Sequence, residues 1–400
     1  MSAVRSVFPL IVSIVLIGIT SGLFIYLLRR LHPDWWTHKL VRWISFAVPG
    51  TGFVCLILWV IGTYNGMHGL ISLGSLGTIG VVVVGIALTL SLPVSGLMHA
   101  ISRKSRKPKE VQEKIAEDTS LDRRRFLRTA SIIVPVATLA AGGKGIIETM
   151  ETPGVKHITL PFPDLPPGLD GMKIAQISDV HIGIFVGMDD LGEILGIVRK
   201  ESPDLVLMTG DICDDMALYA EALKLSAQLN PPLGTYASIG NHEYYRGIRD
   251  VVRAYDSNPI PLLLNEGAAI ERNGSTLFVG GADDPQSLGT PPEGFFDRSI
   301  ERSMRDAPSD SFKLLMSHRP DVFPTSERLG MNLTLSGHTH GGQMGFNGRS
   351  MLEFISETKY MWGHYKIGDS QLYTTAGAGQ WFPFRLGCPM EIPIITLKRG

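Results

Sequence analysis

The chain has 400 residues and carries 37 Lys and Arg against 38 Asp and Glu, a formal net charge of -1. That length allows more than one domain and a sizeable core, and the near-neutral balance gives no reason to expect nucleic acid as a partner. Three cysteines, Cys55, Cys213 and Cys388, are too few and too scattered for a disulfide framework or a zinc knuckle and read as free thiols.

The average hides an asymmetry. The first hundred residues hold one acidic residue, Asp34. Three apolar stretches, at residues 8–28, 43–64 and 70–98, each reach or exceed the ~20 residues that cross a bilayer core. They predict three transmembrane helices over residues 1–101, an anchor in the lipid bilayer. Acidic or paired polar residues that would line a transport path are lacking. Loop charge sets the orientation. Arg29, Arg30, Lys39 and Arg42 put the first loop in the cytoplasm, and residues 66–69, without Lys or Arg, put the second outside. The basic run 103–107 returns the chain to the inside.

Residues 102–150 form a basic segment followed by a weak apolar run at 130–141. Asp122-Arg123-Arg124-Arg125-Phe126-Leu127-Arg128 resembles a twin-arginine export signal: paired arginines, one free position, Phe-Leu and a basic residue ahead of a mildly hydrophobic segment. The rival reading is a basic patch on anionic lipid. The run is short for a span, and Pro135, Gly142 and Gly143 weaken it further. The topology expected is a multi-pass protein of a bacterial inner membrane with its C-terminal domain on the periplasmic or extracellular side.

From residue 151 to 400 the composition is that of a soluble domain. Pro161, Pro163, Pro166 and Pro167 predict a linker or entry loop. Strands are then expected at 173–178, 205–209, 235–239, 276–279, 313–316, 333–335, 372–375 and 392–397, with helices at 190–200 and 218–229. This alternation predicts an α/β domain.

Five short motifs fall where predicted strands end: Ser178-Asp179-Val180-His181, Gly210-Asp211, Gly240-Asn241-His242-Glu243, Ser317-His318 and Gly337-His338-Thr339-His340-Gly341. Ligand sites of open α/β sheets collect at the carboxyl ends of strands, so these residues can converge. In extended chain, residues two apart project to the same side, which would aim Asp179 with His181, and His338 with His340, at one metal. Gly210, Gly240 and Gly337 clear space where the backbone turns toward the site. Asp211, with two carboxylate oxygens, suits a position between two cations. Two divalent ions bring four positive charges and two aspartates return two, leaving about two for an anionic phosphoester and an attacking hydroxide. A lone histidine or Gly-Asp would mean little, but all five motifs in this order are a strong signal. His32, His38, His68, His99, His157 and His364 read as ordinary surface or core residues.

Residues 173–397, with Asp179-x-His181, Gly210-Asp211-x-x-Asp214, Gly240-Asn241-His242-Glu243, His318 and Gly337-His338-x-His340-Gly-Gly-Gln343, resemble the calcineurin-like metallophosphoesterases. The tail 383–392 looks like that of a membrane-associated bacterial subgroup. The resemblance implies two packed β-sheets flanked by helices. It implies Asp179, His181, Asp211 and His340 on a first metal and Asp211, Asn241, His318 and His338 on a second, with Asp211 bridging. His242 would be phosphate contact and proton donor. The commonest fourth residue of the third motif is Asp, where this chain has Glu243. Oxygen and nitrogen donors without thiolate suit manganese, zinc, iron or cobalt. The function expected is hydrolysis of phosphate mono- or diesters, lipid-linked esters among the candidates. The rivals are a UDP-2,3-diacylglucosamine pyrophosphatase of lipid A synthesis, whose nucleotide substrate requires a cytoplasmic domain, and a catalytically silent scaffold, which would lack a ligand. Trp381, Phe382 and Phe384 fit core packing and a lipid-facing loop equally.

Overall fold

The computed structural model describes residues 8–65, 67–104, 129–130, 133–183, 185–286 and 291–400. They fall into two compact units, one ending at Ile147 and one over Glu148–Gly400.

The N-terminal unit contains the helices Phe8–Leu31, Lys39–Asn65 and His68–Lys104, with a short helix Pro33–Trp36 between the first two and another helix over residues 133–147. Three segments, Leu10–Leu31, Lys39–Asn65 and Gly69–Leu97, are long and apolar enough to cross a membrane. Their side chains are arranged inside out. Ile19, Leu40, Trp43 and Phe46 face outward, while Ser45, Gly52, Ser75 and Thr78 are buried between helices. Lipid removes the penalty for exposed apolar groups, so small residues mark the helix contacts. The Thr78 hydroxyl donates to the Gly74 carbonyl one turn back (2.7 Å), which satisfies it without water. The twin-arginine-like motif at 122–128 lies outside the described residues.

In the C-terminal unit, β1 (Gly154–Phe162), β2 (Lys173–Ile177), β3 (Leu205–Thr209), β4 (Thr235–Ser238), β5 (Glu266–Arg272), β6 (Ser275–Gly281), β7 (Phe312–Met316), β8 (Leu333–Ser336), β9 (Gly345–Phe346), β10 (Arg349–Ser350), β11 (Gly363–Ile367), β12 (Ser370–Thr374) and β13 (Glu391–Arg399) form two sheets and a hairpin. One sheet runs β1-β13-β2-β3-β4, the other β11-β12-β8-β7-β6-β5, and β9 pairs with β10. In each sheet the strands that carry the motifs are parallel: β2, β3 and β4 in one, β7 and β8 in the other. Alternation along the strands divides the core. Ile174, Leu205 and Leu207 meet Leu277, Val279, Leu314 and Leu333 between the sheets. Ala175, Ile177, Val206 and Met208 face the other way, toward the helices Met188–Glu201 and Met216–Ala227. Leu315 packs likewise under Ile300 and Val322 on the outer face of the second sheet. The fold is α/β, two sheets flanked by helices.

All eight predicted strands and both predicted helices are present to within two residues. Five strands, β1, β5, β9, β10 and β11, were not predicted. Pro161 corrects the linker reading, because it lies within β1, opposite Lys398 of β13. β1 is an edge strand, and an edge tolerates a residue without an N–H.

Candidate metal centre

β2, β3 and β4 end beside β7 and β8, and the loops that leave them bring all eight predicted site residues together. Three sets of donors lie within 4.8 Å of one another: Asp179, His181 and His340; Asp211, His318 and His338; and His181, Asp211 and His242. His181 Nε2 is 3.1 Å from His340 Nε2, and His340 Nε2 is 3.4 Å from Asp179 Oδ1. Asp211 Oδ2 stands between the two sides of the site, 3.1 Å from His318 Nε2 and 3.8 Å from His181 Nε2. Asn241 is buried at the start of the short helix Asn241–Arg246 that follows β4, next to His242, whose side chain is 20% exposed.

The convergence does not arise as the extended-strand argument expects. Asp179, His181, Asp211, His338 and His340 have φ of 53°, 55°, 52°, 69° and 48°, all in the left-handed region. Each strand therefore breaks into a tight turn at its ligand, and His338 and His340 go to different donor sets. Such backbone costs of order 1–3 kcal/mol per residue and persists only when its surroundings over-determine it. The glycines permit close approach. A Cβ on Gly337 would stand 2.1 Å from Asp179 Oδ2, and one on Gly240 2.3 Å from Asp211 Oδ1.

A second ring of residues holds the first, and most of it carried no signal in the sequence. Asp214 accepts from His242 Nδ1 (2.6 Å) and Arg246 Nε (3.2 Å) through Oδ1, and from His181 Nδ1 (3.2 Å) through Oδ2. The Glu243 carboxylate accepts from the N–H groups of Asp211 (2.9 Å), Ile212 (3.0 Å) and Gly240 (2.8 Å) and from the Tyr219 hydroxyl (3.2 Å). It thus ties the β3 loop to the β4 loop. Arg319 reaches His338 Nε2 with Nη1 (2.8 Å) while Nε donates to Asp284 (2.8 Å). Arg385, fully buried, donates from Nη2 to the carbonyls of Ala376 and Gly379 and lies 3.0 Å from His340 Nδ1. Asp214 and Arg385 sit within the motif and tail quoted above, so their proximity in sequence was a hint; their roles were not readable. Cys213 is a small buried residue donating to the Ile182 and Asp215 carbonyls, and all three cysteines are unpaired.

Burial sets the protonation of the imidazoles. It holds His338 and His340 well below the usual range, helped by the Arg319 charge on the first and by His181 and Arg385 on the second. Both are therefore neutral, as metal ligands must be. Burial also lowers His318 and His242, but there the carboxylates win: Asp211 and Asp179 bring His318 up to about 10, and Asp214 and Asp211 bring His242 up to about 9.

The donors fit divalent cations. His318 Nδ1 faces the Thr209 carbonyl (2.8 Å) and so carries its proton toward it, which turns Nε2 to the carboxylates of Asp211 and Asp179. Among the described residues, Asn241 Oδ1 is a buried acceptor with no hydrogen-bond partner. An acceptor left bare in this way costs about 1–3 kcal/mol. A positive ion among Asn241, His318 and Asp211 would remove that cost and take the place of the extra proton on His318.

Residues 172–342 match the calcineurin-like phosphoesterase family. An uncharacterized metallophosphoesterase of Bacillus subtilis, YkuE, is 31% identical over 70% of this chain and 98% of its own length. A zebrafish transmembrane protein with metallophosphoesterase domain is 27% identical over 79% of this chain and 72% of its own. The structure of a putative 5'-nucleotidase from Staphylococcus aureus superposes with a TM-score of 0.36 at 10% identity, over 58% of this chain and 55% of that one. The chain thus spans about half of that nucleotidase. This chain belongs to the calcineurin-like metallophosphoesterases, metal-dependent hydrolases of phosphoester bonds. With its three apolar helices, it is a membrane-associated member of that family, whose relatives of this kind are not confined to bacteria.

Glu243→Ala leaves three buried N–H donors without their acceptor. At roughly 1.5–3 kcal/mol for each hydrogen bond to a charged group, it should cost several kcal/mol. The expected outcome is a lower thermal unfolding midpoint of the C-terminal unit together with loss of bound metal, read by near-UV circular dichroism and elemental analysis of one preparation.

Proposed function

We propose that the chain hydrolyses phosphate mono- or diesters at a dinuclear metal centre on a membrane-anchored domain. The observation that carries this reading is the position of Asp211, with one carboxylate oxygen near imidazoles of both donor sets. Asp179, His181, Asp211 and His340 would hold one ion, and Asp211, Asn241, His318 and His338 the other. Two divalent ions, when bound, supply the positive charge that polarises a phosphoester and lowers the pKa of water. The chain's own residues do the rest. His242 has Nδ1 fixed by Asp214, which leaves Nε2 on the accessible side, 4.0 Å from Asp211 Oδ2. There it contacts the phosphoryl oxygens and delivers a proton to the departing alkoxide. Asp214 keeps the imidazoles of His181 and His242 in register, as a carboxylate orients a ligand or general acid. Manganese, zinc, iron and cobalt all suit these donors.

The same reading extends to topology. Loop charges support an N-terminus outside and residues 103–128 inside. If the segment around the helix 133–147 crosses, the catalytic domain lies outside the cytoplasm, on the periplasmic or extracellular face of a bacterial inner membrane. The twin-arginine-like run at 122–128 supports that crossing.

Three outcomes test this. Asp211→Asn should empty both sites, so that elemental analysis falls from about two metals per chain to near none; full activity after exhaustive chelation contradicts the proposal. His242→Ala should keep its metals and lose about 10²–10⁴-fold in kcat. Because His242 also lies within reach of Asp211 and His181, equal loss of metal would make it a ligand instead. Protease added to intact spheroplasts should digest the C-terminal domain; protection until lysis places it in the cytoplasm.

A further inference from the structure

Among the described residues, large apolar side chains exposed on the Glu148–Gly400 unit are few and clustered. Five are exposed, and four of these, Phe346 (79%), Met351 (51%), Phe354 (94%) and Ile355 (83%), lie within ten residues of sequence on the β9–β10 hairpin and the turn after it; the fifth is Met150. Scattered exposed apolar residues need no explanation, but a contiguous group is an interaction surface.

The position of the hairpin says what covers it. Gly345 N donates to the Leu386 carbonyl (2.9 Å), and Leu386 N donates to the Gln343 carbonyl (2.8 Å), so the hairpin is strapped to the 380–388 loop. That loop also holds the start of the unit. Gln380 Nε2 donates to the Thr149 carbonyl (2.9 Å), and Gly387 N to the Glu148 carboxylate (2.8 Å). Glu148 and Thr149 are where the chain enters this unit from the N-terminal one, directly after the helix 133–147, and exposed Met150 follows. The loop borders the metal centre as well, since the Trp381 ring lies 6.5 Å from that of His340. Hairpin, arriving chain and site mouth are fastened to a single loop.

We propose that Phe346, Met351, Phe354 and Ile355 dock into the interfacial layer of the bilayer that anchors the chain, turning the mouth beside His340 toward lipid. A short apolar group of this kind is too small to anchor a protein alone, but a tethered domain already pays little to reach the surface. The substrate class that follows is a phosphoester carried at the membrane surface. This rests on the membrane-anchored phosphoesterase reading.

The test uses the full chain in phosphatidylcholine nanodiscs. A nitroxide is placed on Asn347→Cys in the hairpin and, separately, on Glu271→Cys in β5, with the unsubstituted chain as background for the native cysteines. Lipid-soluble oxygen should relax the hairpin label several-fold more, relative to a water-soluble nickel chelate, than it relaxes the β5 label. Adding Phe354→Ser and Ile355→Ser should abolish that difference while hydrolysis of bis(4-nitrophenyl) phosphate continues at its former rate. A hairpin label as open to nickel as the β5 label, in a chain that still cleaves this soluble ester, overturns the docking and leaves the phosphoesterase reading standing. Exclusion of both relaxing agents with spin–spin broadening between labels assigns the patch to a second copy and overturns it equally. An intact, metal-loaded chain that cleaves no ester removes the reading beneath it.

Discussion

The metal centre depends on five non-glycine residues held in left-handed backbone at the ends of strands. Left alone, each would relax, at a gain of order 1–3 kcal/mol. The structure prevents this from both sides. Behind the ligands, the sheets are locked by an apolar interior that runs from Ile174 and Leu207 to Leu314 and Leu335. At the ligands, the turned backbone finds partners that extended backbone could not reach. His338 N donates to Asp179 Oδ1, His181 N to the Asp211 carbonyl, and Glu243 collects the N–H groups of Asp211, Ile212 and Gly240. Strain at the site and hydrogen bonding around it are therefore one arrangement. The rigid sandwich is what lets short connections point seven imidazole and carboxylate groups at one another across two sheets.

How much of this the sequence discloses follows from the range of the interactions. The ligands were legible because each motif is local: polar residues within five positions at a strand end, with a glycine ahead of them in three of the five. The strands that carry them were legible because they are short, apolar and bounded by turn residues. What was hidden is what depends on a distant partner. Pro161 read as a linker because nothing local says that its strand pairs with the last strand of the chain. Arg319 and Asp284 pair across thirty-five positions, and Arg385 meets His340 across forty-five. The convergence of Asp179 with His181 was expected for a wrong reason. Period-two geometry places neighbours on one side of a strand, but here the chain has left the strand, and left-handed turns aim the side chains. Trp381 and Phe382 are half-buried, and the Trp381 ring stands 6.5 Å from that of His340, a neighbour across forty-one positions that nothing local discloses.

The two units solve opposite solvation problems with the same amino acids. In the N-terminal unit Trp43 and Leu40 are exposed and Ser75 and Thr78 are buried. Between the sheets the order is reversed, and a polar group buried there, the Gln176 amide, donates from Nε2 to the Thr209 hydroxyl and to the Ser336 carbonyl. That contrast separates helices apolar enough to cross a membrane from a hydrolase domain, and it makes the few apolar residues exposed on the hydrolase informative. Where water is the solvent, a surface phenylalanine as open as Phe354 gains nothing by its position.

Charge around the site argues for cations from a second direction. Within and just behind the donor sets lie five buried carboxylates, Asp179, Asp211, Asp214, Glu243 and Asp284, and three arginines, Arg246, Arg319 and Arg385, that touch the same network. With neutral histidines this leaves two negative charges at low dielectric, an expensive state. Protons are one remedy, and the raised His318 and His242 represent it. Two divalent ions would be the other: they would return His318 to its neutral form, satisfy the bare Asn241 oxygen, and turn a deficit of two into a surplus of two. That surplus is what an anionic phosphoester needs in order to leave water for the site. The arginines matter to this balance as much as the ligands do. Without them four positive charges would fall one short of the five carboxylates, and the site would bind metal without attracting substrate.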